Sequence, residues 1–330
     1  MADRFSTSLP YFSGEAFHRR AHYLFGAYNA DKMGSWVNQL GELASVLAAA
    51  VRADVLLLDS IWKADLLACS LIGLWPRSWR PIIVMHGEMW NPDSGIAGAI
   101  EKAIVSLADR AITRYIVISS EELTAFPKTW RVDPAKMRCC PFFFTLKEHE
   151  ISQSPSAEGI VFSGGNSHRD YEPIVAAARQ FPDRQFVIAT QLLDGRDDLP
   201  ANLTAGSTSH EQFVAHLHAA EAIIVPITRG LNRSAGQQTY LNAMLLGKPT
   251  IVTDGFGVRD HIADKETALI IEGSEASLSE ALHWVFDPAN ELAVRQMCSK
   301  AQHVVGSRFR YEDHIEGILA VMDEVQIDAQ

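Results

Sequence analysis

The residues best able to do chemistry fall in two short segments of the second half of the chain. Residues 162–171 place Gly164 and Gly165 just before Arg169, where an apolar run gives way to a helical pattern. Glycines admit a ligand close to the backbone, a helix start offers unpaired N–H groups, and the arginine adds a cation. That combination suits a phosphate. A tight turn with a surface arginine is the competing reading. Residues 226–239 carry Arg229, Arg233, Ser234, Ala235, Gly236, Gln237 and Gln238 ahead of a second helix. Two cations, a hydroxyl and a helix N-terminus suit a diphosphate. The alternative is a flexible loop capped by Ser234. Recurrence of the pattern at two strand ends of one sheet favours the anion. In the first half, His86 follows the apolar run 81–85. A histidine at a strand's C-terminal end can hydrogen-bond a sugar hydroxyl or a phosphate; a satisfied structural histidine is the alternative.

Other chemistries find less support. GxGxxG and GxxxxGK[ST] are absent, and the strand after Gly165 ends in Thr190 and Gln191 where a dinucleotide site needs an acid. Asp194, Asp197 and Asp198 invite a metal reading but have no further ligands nearby in sequence, so no metal is expected. Lys248 reads as a solvated corner between Gly247 and Pro249.

Elements that must position these residues alternate along the chain. Helical periodicity over 35–51, 64–74 and 95–108 separates apolar runs at 55–58, 81–85 and 115–118. Ser119 with Glu122 reads as a capping box. Residues 127–158, with Pro127, Pro134, Pro141 and Pro155, read as a linker. The alternation restarts with strands at 159–163, 185–190, 222–225, 250–253 and 268–271, and helices at 171–180, 209–219, 236–246, 275–286, 289–305 and 311–326. Continuous apolar runs separated by helices indicate parallel sheets buried on both faces. The expected architecture is α/β, two Rossmann-like parallel-sheet lobes divided near residue 150, with the 311–326 helix packing back on the first. The cleft between such lobes is the default site.

The chain has 330 residues, 47% hydrophobic and 21% charged, with a net charge of −11. This excludes a disordered, collagenous or coiled-coil chain. Divided at residue 150, the first part has 16 basic and 16 acidic residues and the second 13 and 24, so the second holds the whole excess. Nucleic acid is not an expected partner. No membrane span or signal peptide is read, and Cys69, Cys139, Cys140 and Cys298 fit no disulfide or zinc spacing. A cytoplasmic location is expected. Residues 74–80, with Trp75, Trp79, Arg77 and Arg80, could touch an anionic membrane surface or stack on sugar rings; plain packing is the competing reading.

Residues 241–254, LNAMLLGKPTIVTD, resemble the L-E-A-M-A-x-G-x-P-V-V-x-[ST]-D stretch of family 4 glycosyltransferases of the GT-B fold. Residues 257–262 resemble the following G-x-x-[DE]-x-I, residues 268–271 its G-x-L-V, and residues 220–226 the A-D-x-x-x-x-P-S strand. The first half matches more weakly, through residues 82–86 and 116–119, and no strand with a glycine loop is read before residue 35, so that lobe looks shortened. The resemblance implies a hexosyltransferase using a nucleoside diphosphate sugar, UDP favoured, with a glycan or lipid-linked glycan acceptor, retention at the anomeric carbon and no metal. It implies that Arg169 replaces a phosphate-binding lysine and His86 contacts the transferred sugar. Ser234 to Gln238 would hold diphosphate and sugar, and Gly164, Gly165, Thr190, Arg229 and Arg233 would border the nucleotide. The family's E-x7-E pair falls on Ser234 and Asn242, and Asn242 would meet the ribose. A non-catalytic sugar-nucleotide binder and a sugar-nucleotide epimerase are the alternatives.

Overall fold

The computed structural model describes residues 5–7, 20–23, 36–59, 63–87, 92–153 and 159–328. The chain divides into two compact units, Met1–Pro141 with Glu312–Gln330, and Phe142–Tyr311. The sequence reading set its division at residue 150.

The first unit is built on a six-stranded parallel sheet, β1 (Phe5–Thr7), β2 (Ala21–Tyr23), β3 (Val55–Asp59), β4 (Ile82–His86), β5 (Arg114–Val117) and β6 (Met137–Cys139), in the order β2-β1-β3-β4-β5-β6. All five residues of β3 are buried, as a strand covered on both faces requires. Helices α1 (Trp36–Ala50), α2 (Lys63–Ile72), α3 (Gly95–Asp109) and α4 (Glu122–Trp130) connect the strands. A helix near the other end of the sequence, α12 (Tyr311–Asp328), completes the unit. Arg114 and Arg138 both pair with Glu324, and Arg20 reaches Asp323 at 2.6 Å.

Several expectations change here. β1 and β2 precede residue 35, and β1 pairs in parallel with β3, so the sheet does have an early strand. The expected linker contains β6, a sheet strand. Pro127 lies inside α4. Pro134 opens a 3-10 turn capped by Asp133, whose carboxylate accepts from Ala135 N at 2.9 Å. The box expected at Ser119 does not form; Glu122 turns inward, fully buried, and accepts from Ile118 N.

The second unit repeats the plan with β7 (Ile160–Gly164), β8 (Gln185–Ala189), β9 (Leu203–Gly206), β10 (Ala220–Val225), β11 (Thr250–Thr253) and β12 (Leu269–Ile271). Their order is β12-β11-β10-β7-β8-β9, all parallel. The short helices α5 (Glu148–Ile151) and α9 (Val258–His261) and the longer α6 (Glu172–Gln180), α7 (His210–Ala219), α8 (Gln237–Leu245), α10 (Glu275–Phe286) and α11 (Glu291–Arg308) surround it. Ser209 caps α7 through the box with Gln212 that the sequence indicates. Lys248 is not a solvated corner: its ammonium donates to His218 O at 2.6 Å and Ala220 O at 3.1 Å, and burial lowers its pKa.

Counted over these units, the charge asymmetry vanishes. The first unit has 15 basic and 20 acidic residues (net −5), the second 14 and 20 (net −6). Residues 312–330 bring six acids and no base to the first unit.

Candidate functional site

Between β7 and β10 the strand order of the second unit reverses. Chain leaving β7 runs to one side of the sheet and chain leaving β10 to the other. The loops at those two C-terminal ends therefore part and leave a crevice, the usual ligand seat of an open parallel sheet. Both segments singled out in sequence lie there.

The two loops are joined by their backbones. Asp170 N donates to Pro226 O at 2.9 Å, Thr228 N to His168 O at 3.0 Å, and Arg169 bridges Ile227 in antiparallel fashion. His168 takes a left-handed φ of 54° to make this join. Gly165 has φ 121°, and a Cβ there would press on the Arg169 guanidinium, 3.1 Å from Nη2. Gly164 has a different reason: a Cβ would stand 2.5 Å from the Phe213 ring. Both glycines thus make room for protein side chains, a role the sequence reading had assigned to a ligand.

Arg169 is the focus of the arrangement. Its Nη1 donates to Ser167 O at 2.8 Å, while its Nε is buried with no hydrogen-bond partner among the described residues. Burial lowers its pKa. A buried charged donor left unmatched costs about 1–3 kcal/mol or more, so this geometry is poised for an anion. Thr190 supports it from β8's end. Its Oγ1 lies 3.0 Å from Gly165 O and 2.9 Å from Asn166 Oδ1, and Asn166 Oδ1 accepts from Gln191 N at 2.8 Å. Tyr171 OH donates to Gly165 O at 2.7 Å. Sequence reasoning missed Asn166 and Tyr171, which hold the loop.

The second loop ends at α8. Gly236, at φ 78°, is its N-cap, and a Cβ would meet Val225 Cγ1 at 2.8 Å. Ser234 and Gln237 are buried, Ala235 is partly so, and Gln238 is exposed. Arg233 is partly buried, and desolvation lowers its pKa. Arg229 is exposed, with Glu272 at 3.9 Å. Asn242 lies deeper. It is 3% exposed; its Oδ1 accepts from Thr145 N at 2.8 Å and its Nδ2 donates to Thr145 Oγ1 at 3.0 Å. Each half of the amide makes one hydrogen bond to Thr145.

Of the acids of residues 194–198, Asp198 is drawn into ion pairs. Arg196 binds Asp198 in a fork, at 2.8 and 2.6 Å, and also pairs with Glu172. Among the described residues no three His, Cys, Asp or Glu side chains gather as a metal site.

His86 belongs to the other unit, at the end of β4. It is buried, and its Nε2 lies 3.3 Å from Nε2 of His314 on α12. His314 Nδ1 lies 2.8 Å from Pro141 O. Burial holds His314 down to about 4; burial and then His314 hold His86 well below the usual histidine range. His314 was not read from the sequence. The only signal is a histidine on the buried stripe of α12, in line with Ile318, Val321 and Val325.

No protein-family model matches the chain, and no curated protein matches it in sequence. Solved structures do match. HepE from Anabaena in complex with UDP superposes with a TM-score of 0.72 over 97% of this chain and 99% of that one, at 15% identity. A glycosyltransferase from Rickettsia africae gives 0.68 over 98% of both chains, at 12% identity. Sucrose-phosphate synthase from Thermosynechococcus elongatus gives 0.67 over 92% of this chain and 81% of that one, at 15% identity. The fold is GT-B. Two Rossmann-like units of parallel strands, expected from the alternation of runs, are what GT-B requires. Within it, Arg169, Thr190, Arg229, Arg233 and Ser234–Gln238 all stand in the second unit and His86 in the first.

Proposed function

We propose that the chain is a glycosyltransferase whose Phe142–Tyr311 unit holds a nucleoside diphosphate sugar at the ends of β7 and β10. Arg169 carries this reading. Its buried Nε has no partner among the described residues, and it sits at the strand-order reversal, on the loop that the backbone ties to the segment leading into α8. A phosphate supplies the acceptor that Nε needs, and the N-terminal end of the α8 dipole adds favourable field. HepE has been solved with UDP and with UDP-glucose, which supports a UDP-hexose as donor.

In this reading Arg169, Arg229 and Arg233 stabilise charge growing on the departing diphosphate, the work a metal does elsewhere. His86 contacts the hexosyl unit. Transfer is retaining, metal-independent, and directed to a glycan or lipid-linked glycan. Trp79 is 72% exposed and Leu74 63%, and with Val51, Trp75 and Pro76 they line a groove of about 540 Å³. These side chains precede β3 and β4, so the groove lies at the N-terminal ends of the strands, away from His86 at the C-terminal end of β4. We assign it peripheral contact with a membrane, with Arg52 and Arg77 exposed beside it. No helix among the described residues is long and apolar enough to cross one. Ser234 and Asn242, standing where the resembled family has its glutamate pair, favour one second reading, a binder of sugar nucleotide without turnover.

Calorimetry with UDP tests the assignment. Arg169→Ala is expected to weaken binding about 10- to 100-fold, the worth of a charge-assisted hydrogen bond. Unchanged affinity overturns it.

A further inference from the structure

Helices α1, α2 and α3 pack side by side, α2 between the other two. The chain steps from β2 to β3, β4 and β5 in one direction across the sheet, and right-handed crossovers then put the three helices in one layer on one face. The layer is tied together: Ser70 Oγ on α2 lies 2.9 Å from Ile104 O on α3, and Gly73 admits the Leu107 carbonyl where the two helices meet. A helix that faces water ordinarily turns charged residues outward. These three do not. On α1 the exposed stripe is Leu40, Ala44 and Ala48, and on α2 it is Leu67 and Leu71. On α3, Ile96, Ile100 and Ala103 continue the same helical spacing. Leu40 is 62% exposed and Ile96 82%. Among the described side chains of the three helices, Lys102 is the one exposed charge.

We propose that this layer is the interface of a two-fold homodimer, covered by a second copy of the chain. Its size fits. Helices of 10 to 15 residues are about 15–22 Å long, and three at a spacing of about 8–10 Å make a face roughly 30 Å across. Such a face covers roughly 800 Å² of accessible surface on each copy, the amount a stable pair buries. Because the helices are already fixed to one another, little ordering entropy opposes the pairing. Charge fits as well. The chain carries −11, so two copies repel wherever acids face each other, and no described acid is exposed on this layer. An anionic bilayer gains little from a layer with one lysine, in contrast to the groove, which has Arg52 and Arg77 beside it. The groove opens where α1 and α2 end; the proposed interface lies along their flanks. Shape sets the axis. α1 is low, with Ala44 and Ala48 outward, and α3 is high, with Ile96 and Ile100. A two-fold axis along α2 lays the low helix of one copy on the high helix of the other, and brings Leu67 and Leu71 to the axis.

Sedimentation velocity of the full chain tests this without reference to UDP. At about 10 μM, where interfaces of this size hold, the expected species has twice the 36.4 kDa chain mass. Leu71→Lys sets two lysines against each other at the axis. It is expected to raise the dimer dissociation constant about 100-fold or more, with the monomer still folded by circular dichroism. Leu71→Cys probes the axis in an otherwise native chain. A short bifunctional maleimide is expected to join it to its own copy. The wild type, with Cys69, Cys140 and Cys298 buried and Cys139 partly so, is expected to stay unlinked. A monomeric wild type overturns the proposal, as does a dimer that persists in Leu71→Lys or fails to link through Leu71→Cys. A monomer that binds neutral vesicles, and no longer does so in Leu71→Lys, gives the face to a bilayer instead and overturns the dimer.

Discussion

The two units have six parallel strands each and nearly equal net charge, yet they use their surfaces in opposite ways. In the second unit, large apolar side chains are almost all withdrawn: among the described residues only Leu192 and Leu292 are exposed, against nine in the first. Its buried charge is kept for the strand ends, where Arg169 and Arg233 lose solvation. The first unit does the reverse. The outward sides of α1, α2 and α3 show Leu40, Leu67, Leu71, Ile96 and Ile100, while its strand-end histidine is buried and neutral. One unit desolvates cations at its strand ends; the other buries a histidine there and keeps an apolar exterior. A scaffold common to both therefore says little about ligand, which resides in the loops.

The contrast can be broken at several points. The largest effect is expected in the apolar layer. A Cβ on Gly73 would stand 2.1 Å from the backbone oxygen of Leu107, where α2 meets α3. Backbone cannot yield as a side-chain tip can, so Gly73→Ala should cost about 3 kcal/mol or more in urea unfolding. Gly164→Ala meets the edge of the Phe213 ring and, at 3.3 Å, the Ala189 Cβ, side chains and not backbone, and should cost clearly less. If the two cost the same, helix packing in the first unit is looser than described. Next comes Arg169→Ala, with its 10- to 100-fold loss of UDP affinity and little change in stability. Loss of stability without loss of affinity would make Arg169 a structural cation.

A smaller effect concerns acid. The Arg138 hydrogen bond, opposed by a little burial and helped by Arg114, holds Glu324 down to about 2. A depressed carboxyl stabilises the fold above its unfolded pKa, and this contribution drains away as pH falls from about 4.5 through about 2. The pair is partly exposed, so Glu324→Gln should cost under about 1 kcal/mol at pH 7 and flatten the acid limb. An unchanged acid limb would show that α12 is held by its apolar stripe alone. Trp79→Ala should be smallest in stability, within about 0.5 kcal/mol, as for any exposed site. It should nonetheless reduce sedimentation with anionic vesicles. Undiminished vesicle binding would remove the groove from the membrane proposal.

Much of the fold was legible because parallel strands buried on both faces print as unbroken apolar runs, as in β3, β7 and β10. What stayed hidden had a physical reason. β1, β2 and β6 are three residues long, too short for any period to register. β9, LTAG, has one buried residue and reads as a turn. Prolines at 127, 134 and 141 suggested a linker, but Pro127 lies inside α4 and Pro134 opens a 3-10 turn, so neither ends the unit. In the site, the loops with arginines and glycines were visible because their composition is unusual. The partners that decide their meaning were not. Phe213 explains Gly164 from 49 residues away, Thr145 occupies Asn242 from 97, and His314 meets His86 across 228. Only tertiary structure connects such positions. The charge count failed for the same reason: residues 312–330 belong, in space, with the first unit.

That return of the chain sets an order on biosynthesis. Pro141 leaves the ribosome about 170 residues before Glu312 does. At roughly 5–20 residues per second, the nascent first unit waits on the order of ten to thirty seconds for its closing helix. During that interval Arg114 and Arg138 lack Glu324, Cys140 lacks the cover of Gly317, and the carbonyl of Pro141 lacks its histidine. The second unit, contiguous in sequence, can finish folding meanwhile. The His86–His314 contact is consequently among the late ones to form.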